Sequence, residues 1–89
     1  MTEHILPITL RLTGKSGLEP HIAAKFAVVA SRFEGNISIT CKGRSVNAKS
    51  VTAVMNLGAQ HNDHIELHAD GDQAQQAINA LIAVIQSDC

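Results

Sequence analysis

Short segments in which apolar and polar residues alternate are the feature that most restricts how this chain can fold. Such alternation places the apolar side chains on one face of a strand and the polar ones on the other. The segments with strand character are Ile5–Leu12, residues 37–42, Arg44–Asn47 and His64–Ala69. Because each strand is apolar on one side only, we expect a sheet with one face on the core and the other in water.

Between these strands the apolar residues recur three and four positions apart, which is the pattern of an amphipathic helix. The first helix is predicted to begin at Pro20 and to end before Gly35, with Ile22, Phe26, Val29 and Phe33 on its core face. Ser50 is predicted to cap a short second helix that Gly58 ends.

The last helix is predicted to begin after Asp72, with Gln75 three residues on in a capping-box arrangement. Its expected core face is Ala74, Ala77, Ile78, Leu81, Ile82 and Ile85. The order strand, helix, strand, strand, helix, strand, helix predicts an α+β fold in which helices cover one face of a sheet. Pro7 has no N–H for a ladder, so the first strand should lie at an edge or begin near Pro7.

Length and composition place the chain among ordinary globular proteins. Its 89 residues, of which 45% are hydrophobic and 17% charged, predict a single domain over residues 1–89. The net charge of -1 and the absence of Trp and Tyr argue against binding to nucleic acid. No apolar run is long enough for a membrane span, and the first residues do not resemble a signal peptide. With two cysteines far apart, a reduced, cytoplasmic protein is expected.

The start of the first helix carries the strongest functional signal. It follows a glycine-containing loop, and Pro20 suits the first helical position because a missing N–H costs nothing there. A helix N-terminus has unpaired N–H groups and a partial positive charge, so it can hold an anion. In this chain Glu19 occupies the N-cap or first-turn position, which supplies an internal carboxylate at that point.

Several stretches resemble the HPr family, the small histidine phosphocarriers of the bacterial sugar phosphotransferase system. The matching residues are Gly17-Leu18, Ala23-Ala24, Phe26, Phe33, Asn47-Ala48-Lys49-Ser50, Leu57-Gly58 and Asp70-Gly71-Asp72. The resemblance covers nearly the whole chain. It implies an open-faced β-sandwich of order βαββαβα, in which three helices cover one face of a four-stranded antiparallel sheet.

The chain departs from this family at the active-site motif, which reads Gly-Leu-His-x-Arg-Pro-Ala. Glu19 stands at the position of the phosphorylated histidine, His21 at that of the arginine and Ile22 at that of the proline. A carboxylate would repel a phosphoryl donor, and its acyl phosphate would hydrolyse readily. Two compatible interpretations of Glu19 follow: a simple helix-dipole acid, and a permanent imitation of the charge of phosphohistidine.

Two other residues could carry phosphate. His21 is a substitute nucleophile, but two residues along a helix turn a side chain by about 200°, away from the position that Glu19 occupies. Ser50 matches the serine that a dedicated kinase phosphorylates in some relatives, and it can equally be a plain N-cap. In the catabolite-repression branch of the family the active histidine is also absent and this serine is the functional residue.

The clustered histidines His61, His64 and His68 do not predict a metal site. On a strand, His64 and His68 share a face but lie about 13 Å apart, too far for one ion. We therefore expect no metal and no cofactor.

The sequence thus predicts a regulatory or docking protein of the phosphotransferase system that does not use the family's histidine position. The alternatives are a working phosphocarrier that uses His21 and regulation through Ser50. Whether the chain has an enzymatic role stays open, with a non-catalytic one preferred. Expected partners are the first enzyme and the sugar-specific components of the system, regulators that recognise HPr, and an HPr kinase. The expected docking residues are Ala23, Lys25, Phe26, Ala27, Val51, Val54 and Met55.

Overall fold

The computed structural model describes residues 7–12 and 19–88, and these residues form the expected order βαββαβα. The strands are β1 (Ile8–Arg11), β2 (Ile37–Cys41), β3 (Arg44–Asn47) and β4 (His64–Ala69). The helices are α1 (Pro20–Ala30), α2 (Val51–Asn56) and α3 (Ala74–Asp88). The predictions that fall on residues 1–6 and 13–18 lie outside the described residues.

The four strands form one antiparallel sheet in the order β1-β4-β2-β3. β1 is an edge strand, as Pro7 predicted. Lys42 and Gly43 make the tight turn between β2 and β3 with positive φ angles of 53° and 80°, which match the twist of a two-residue hairpin.

The inward side of the sheet carries the apolar residues that its alternating pattern predicted. Ile39, Ile65 and Leu67 are fully buried, and α1 packs against both α2 and α3 above them. Exposed polar residues such as Thr9, Ser45 and His68 occupy the other side of the sheet. The prediction of a sheet covered by helices on one face only is therefore confirmed.

Two helix boundaries differ from the prediction. α1 ends at Ala30, not just before Gly35, because the N–H groups of Arg32 and Phe33 bond three residues back instead of four. Phe33 still packs on the core from beyond the helix end, which explains why it continued the helical pattern.

α3 begins at Ala74, so the residue before it is Gln73 and not the predicted cap, Asp72. The Gln75 amide donates to Asn79 Oδ1 along the helix, at 3.0 Å. The core face of α3 is as predicted except that Ile82 is only half-buried and Val84 is also buried.

Candidate functional site

The first turn of α1 is built by Glu19 and Pro20. Glu19 is the N-cap residue, with an extended backbone (φ −70°, ψ 166°), and its carbonyl accepts the first helical hydrogen bond from Ala23 N–H at 2.9 Å. Pro20 follows at the first helical position, as the sequence predicted. The Glu19 side chain makes no capping hydrogen bond to the N–H groups of this turn. The expected position of Glu19 is thus correct, but its carboxylate does not occupy the anion site that the helix offers.

The Glu19 carboxylate instead pairs with the imidazole of His21. Glu19 Oε1 lies 3.0 Å from His21 Nδ1, and the side chains are 35% and 71% exposed. The expectation that the two side chains point in opposite directions is wrong. The reason is local: the 100° per residue of a helix applies only from Pro20 onward, whereas Glu19 is extended and its side chain leans back toward His21.

The contact with Glu19 determines which ring nitrogen of His21 is available for reaction. With Nδ1–H donating to the carboxylate, the neutral ring presents the lone pair of Nε2 to solvent. The imidazole is the more exposed partner of the pair. The arrangement therefore combines one fixed negative charge with one accessible nucleophilic nitrogen.

Ser50 caps α2 as predicted. Its Oγ accepts a hydrogen bond from Ala53 N–H at 3.2 Å, and its side chain is partly buried. Ser50 N–H donates to the carbonyl of Asn47, and Asn47 Oδ1 accepts from Lys49 N–H at 2.9 Å. The Asn47–Ser50 stretch is thus a compact turn that positions the hydroxyl at the start of the helix.

The predicted docking surface separates into exposed and buried residues. Val51 and Met55 are exposed to 37% and 43%, and their spacing of four puts them on one side of α2. Lys25 is exposed on α1. The prediction is wrong for the residues that belong to the hydrophobic core, because a partner cannot touch them without unfolding: Ala23, Phe26, Ala27 and Val54.

The histidines of β4 lie on the open face of the sheet. His68 Nε2 is 2.7 Å from Glu66 Oε1, and both side chains are largely exposed. Among residues 7–12 and 19–88 there is no group of three His, Cys, Asp or Glu side chains placed to hold a metal ion.

Sequence reasoning missed the role of Asp63, whose carboxylate contacts Gln60 and Lys42 and whose carbonyl holds the end of β1. Asp63 Oδ2 accepts from Gln60 N–H at 2.8 Å and lies 3.2 Å from Lys42 Nζ. The hydrogen bond from Gln60, with help from Lys42, lowers the pKa of Asp63 from its ordinary value of 3.8. The Asp63 carbonyl also accepts from Leu12 N–H at 2.9 Å, so this turn holds the end of β1. The only sign of this role in the sequence was that Asp63 follows Gln60, the first residue of a polar loop, by three positions.

The buried thiol of Cys41 lies on the core side of β2. Burial raises the pKa of Cys41, and the nearby negative charge of Asp63 raises it further. A thiol in this state is a poor nucleophile at neutral pH, so Cys41 is a packing residue of the sheet.

Comparison with known proteins gives one consistent result. Residues 7–87 match the family model described as the PTS HPr component phosphorylation site. The phosphocarrier protein HPr of Xylella fastidiosa strain Temecula1 is 36% identical over 87 residues, covering 98% of this chain and 93% of the relative. The HPr-like protein Crh of Halalkalibacterium halodurans is 39% identical over 74 residues, covering 83% and 88%.

Solved structures agree with the sequence matches. A crystal structure of HPr from Thermoanaerobacter tengcongensis, with 35% identity, superposes with a TM-score of 0.87 and 93% coverage of both chains. In the described part of the chain, no helix is both long and apolar enough to cross a membrane. Because the family model spans nearly the whole chain and relatives above 30% identity cover most of it, the chain belongs to the HPr family of bacterial phosphotransferase-system phosphocarriers.

Proposed function

We propose that this protein is a regulatory or docking member of the HPr family that passes no phosphoryl group through the family's histidine position. It would work in the cytoplasm and bind the first enzyme of the phosphotransferase system, its sugar-specific components or regulators that recognise HPr. The observation that supports the proposal is the Glu19 carboxylate, which the sequence resemblance assigns to that position and which lies 3.0 Å from the His21 imidazole.

The chemistry of a carboxylate supports a role without phosphoryl relay. Protein phosphoryl transfer needs a nucleophile whose phosphorylated form is reactive yet stabilised by nearby donors. Glu19 brings a negative charge to the site before any donor arrives, and a charged donor group meets repulsion there. The same charge imitates a phosphorylated histidine, so a partner that prefers phosphorylated HPr has a permanent substitute.

The docking surface supports the proposal that the protein binds the partners of HPr. Val51 and Met55 on α2 are exposed apolar side chains, and Lys25 adds a cation on α1. Apolar centres with charged margins are typical of protein interfaces. A member without relay chemistry but with this surface can occupy the partners of HPr and compete with it.

The decisive experiment combines phosphorylation with competition. The protein is incubated with the first enzyme and phosphoenolpyruvate, and acid-labile phosphate is measured by intact mass. We expect no added phosphate, together with slower phosphorylation of the host's ordinary HPr as the concentration of this protein rises. Phosphate added to the unaltered protein, at Glu19 or at His21, would overturn the proposal, and so would a complete lack of competition.

A double variant supplies the matched control. Glu19→His with His21→Arg restores the two chemical residues of the motif and leaves α2 untouched. We expect this variant to accept acid-labile phosphate from the first enzyme. If the double variant folds and competes with HPr but stays unlabelled, then the absence of phosphoryl transfer in the parent protein is not explained by these two residues.

A second candidate function is a phosphocarrier that uses His21. It is favoured by the orientation of the imidazole, whose Nδ1–H faces Glu19 and whose ring is 71% exposed. In this step the Nε2 lone pair would form a P–N bond, and the bond from phosphorus to the donor's nitrogen would break, returning its electron pair to the donor. Acid-labile label that disappears in His21→Ala but persists in His61→Ala would establish this function in place of the first.

Phosphorylation of Ser50 is a third candidate, favoured by the position of its hydroxyl at the first turn of α2. A phosphate at a helix start is stabilised by the N–H groups and dipole there. Incubation with ATP and an HPr kinase should then give acid-stable phosphate that is absent in Ser50→Ala. The half-time of hydrolysis in acid separates this phosphoserine from any phosphohistidine at His21.

A further inference from the structure

A small cleft opens at the end of the sheet where β2 begins and β3 ends. Its volume is about 280 Å³, roughly the space of nine water molecules at about 30 Å³ each. The cleft is lined by Gly35, Asn36, Ile37, Ser38, Asn47 and Lys49. The hydroxyl and amide groups of Ser38 and Asn47 stand next to each other because these two residues are directly paired across β2 and β3.

The polar groups around this cleft are mainly donors. Asn47 Oδ1 already accepts from Lys49 N–H at 2.9 Å, so the amide NH₂ of Asn47 is the part of that side chain left for a ligand. Ser38 contributes a hydroxyl, Asn36 a second amide and Lys49 an ammonium group. Ile37 is buried and gives the cleft an apolar floor.

The side chains that line the cleft include one cation, Lys49. None of the residues that line it carries a carboxylate. Lys49 is half-buried, and its ammonium forms no ion pair with any carboxylate within residues 7–12 and 19–88. A cation among hydrogen-bond donors favours an anionic ligand, since hydrogen bonds to charged groups are stronger than neutral ones.

We propose that this cleft binds a small hydroxylated anion, of the class of sugar acids and sugar phosphates. Lys49 pairs with the carboxylate or phosphate. The amide of Asn36 and the hydroxyl of Ser38 can donate and accept, and the NH₂ of Asn47 donates, which suits the hydroxyl groups of a sugar. The volume is at the lower end of the range for ligand pockets and fits a molecule of about hexose size.

The cleft is separate from the Glu19–His21 pair. Glu19 precedes α1, whereas Gly35 and Asn36 follow it, and an eleven-residue helix is about 16 Å long. Ser38 and Asn47 lie on the open side of the sheet, whereas Lys49 approaches the start of α2. The inference therefore does not rest on the proposed function, and each can fail without the other.

Amide chemical shifts measured by NMR test the site directly. The ¹⁵N-labelled protein is titrated at neutral pH with D-gluconate, D-glucose 6-phosphate, D-glucose and inorganic phosphate. We expect saturable shifts confined to residues 35–38 and 47–49 with one or both hydroxylated anions. D-Glucose lacks the charge and phosphate lacks the hydroxyl groups, so both should bind at least about tenfold more weakly. The two anions distinguish a carboxylate from a phosphate as the preferred group.

Two variants separate a real site from general electrostatic attraction. Lys49→Gln should weaken binding about tenfold or more, because it removes the cation. Arg32→Gln removes an equal charge from an exposed position after α1 and should leave binding unchanged. An absence of saturable shifts, or equal weakening by both variants, would falsify the proposal.

Discussion

Gly35 lies directly against the backbone carbonyl of Asp70, and a Cβ atom built on Gly35 would overlap the Asp70 oxygen. The φ angle of Gly35 is +93°, which residues with a side chain rarely adopt. Two loops meet here: Asp70 N–H donates to the carbonyl of Asn36 at 2.9 Å, and Glu34 N–H donates to Gln73 Oε1 at 2.9 Å. The contact therefore fixes the start of β2 against the start of α3.

Gly35→Ala is expected to destabilise the protein strongly. Gly43 is the matched control, because its φ is also positive (+80°) but no atom lies within 4 Å of a Cβ built there. Gly43→Ala should cost about 1–2 kcal/mol from backbone strain. Gly35→Ala should cost a further 1–3 kcal/mol or so from the overlap. Urea denaturation of both variants measures the difference, and equal losses would contradict the close contact.

Asp63 should make stability depend on pH in the acid range. Its pKa is lowered in the folded state, mainly by the Gln60 N–H and then by Lys42. A carboxyl with a lowered folded pKa stabilises the fold above its unfolded pKa, near 3.8, and this contribution is lost as the pH falls through the folded value. Asp63→Asn should therefore be less stable than the parent at pH 7, and the gap should narrow as the pH falls below 3.8.

Lys42→Gln separates the two causes of this effect. It removes the ion pair and leaves the hydrogen bond from Gln60. The hydrogen bond from Gln60 is the larger cause of the lowered pKa of Asp63. Lys42→Gln should therefore remove only a small part of the pH-dependent stability that Asp63→Asn removes. Urea unfolding at several pH values measures both variants. A parent-to-Asn gap that stays constant from pH 7 to pH 2 would disagree with the lowered pKa of Asp63.

Ser50→Ala should destabilise the protein by about 1 kcal/mol, because α2 loses the acceptor for Ala53 N–H. Ser50→Asp keeps an acceptor at the same position and should recover most of this loss. Thermal or urea unfolding compares the three proteins. If alanine and aspartate prove equally destabilising, the cap does not contribute to stability in solution.

Met55→Asp should weaken binding to the first enzyme of the phosphotransferase system. Met55 is 43% exposed on α2, so the change places a charge within the docking surface and leaves the core intact. Loss of a central interface contact typically costs more than 1 kcal/mol, or about fivefold to tenfold in affinity. Val28→Asp is the control, since Val28 is 53% exposed on α1 and was not expected in the docking surface. Isothermal titration calorimetry should show a lower affinity for the first enzyme in Met55→Asp and an unchanged affinity in Val28→Asp.

The Glu19→His, His21→Arg double variant should be as stable as the parent, within about 0.5 kcal/mol. The Glu19 side chain makes no capping bond, and surface ion pairs such as Glu19–His21 contribute little to stability. Urea unfolding provides the measurement. A loss of 2 kcal/mol or so would mean that the pair has a structural role.

Much of the fold could be predicted because the sheet is one-sided. The bounds of β4 and the start of β2 follow from alternation, and β3 follows from the tight turn at Lys42 and Gly43. Ser50 and Gly58 bracket α2 as their chemistry predicts. The end of α1 could not be predicted in this way. Phe33 continues the apolar spacing of the helix while the backbone has already tightened after Ala30, so spacing alone could not locate the boundary.

The functional site was predicted less well than the fold, for reasons that differ from residue to residue. The contact between Glu19 and His21 depends on the extended backbone of Glu19, which a helical rotation per residue cannot describe. The docking prediction included Phe26 and Val54 because motif positions do not distinguish a surface residue from the core residue beneath it. The role of Asp63 needs Lys42 and Gln60 to be brought together by the hairpin and the turn, and this juxtaposition is tertiary.

The hydrophobic core has a consequence for how such a protein can diverge. Among the residues whose side chains the structure describes, every buried one is apolar or a thiol, and the Glu19–His21 pair lies wholly at the periphery. If phosphoryl transfer depends on this pair, as proposed above, a duplicated gene could lose or regain it through changes at the surface, without any compensating change in the core. In such a lineage, HPr proteins that carry phosphate and HPr-like proteins that do not would fold equally well. Natural selection could then act only on how each protein binds its partners.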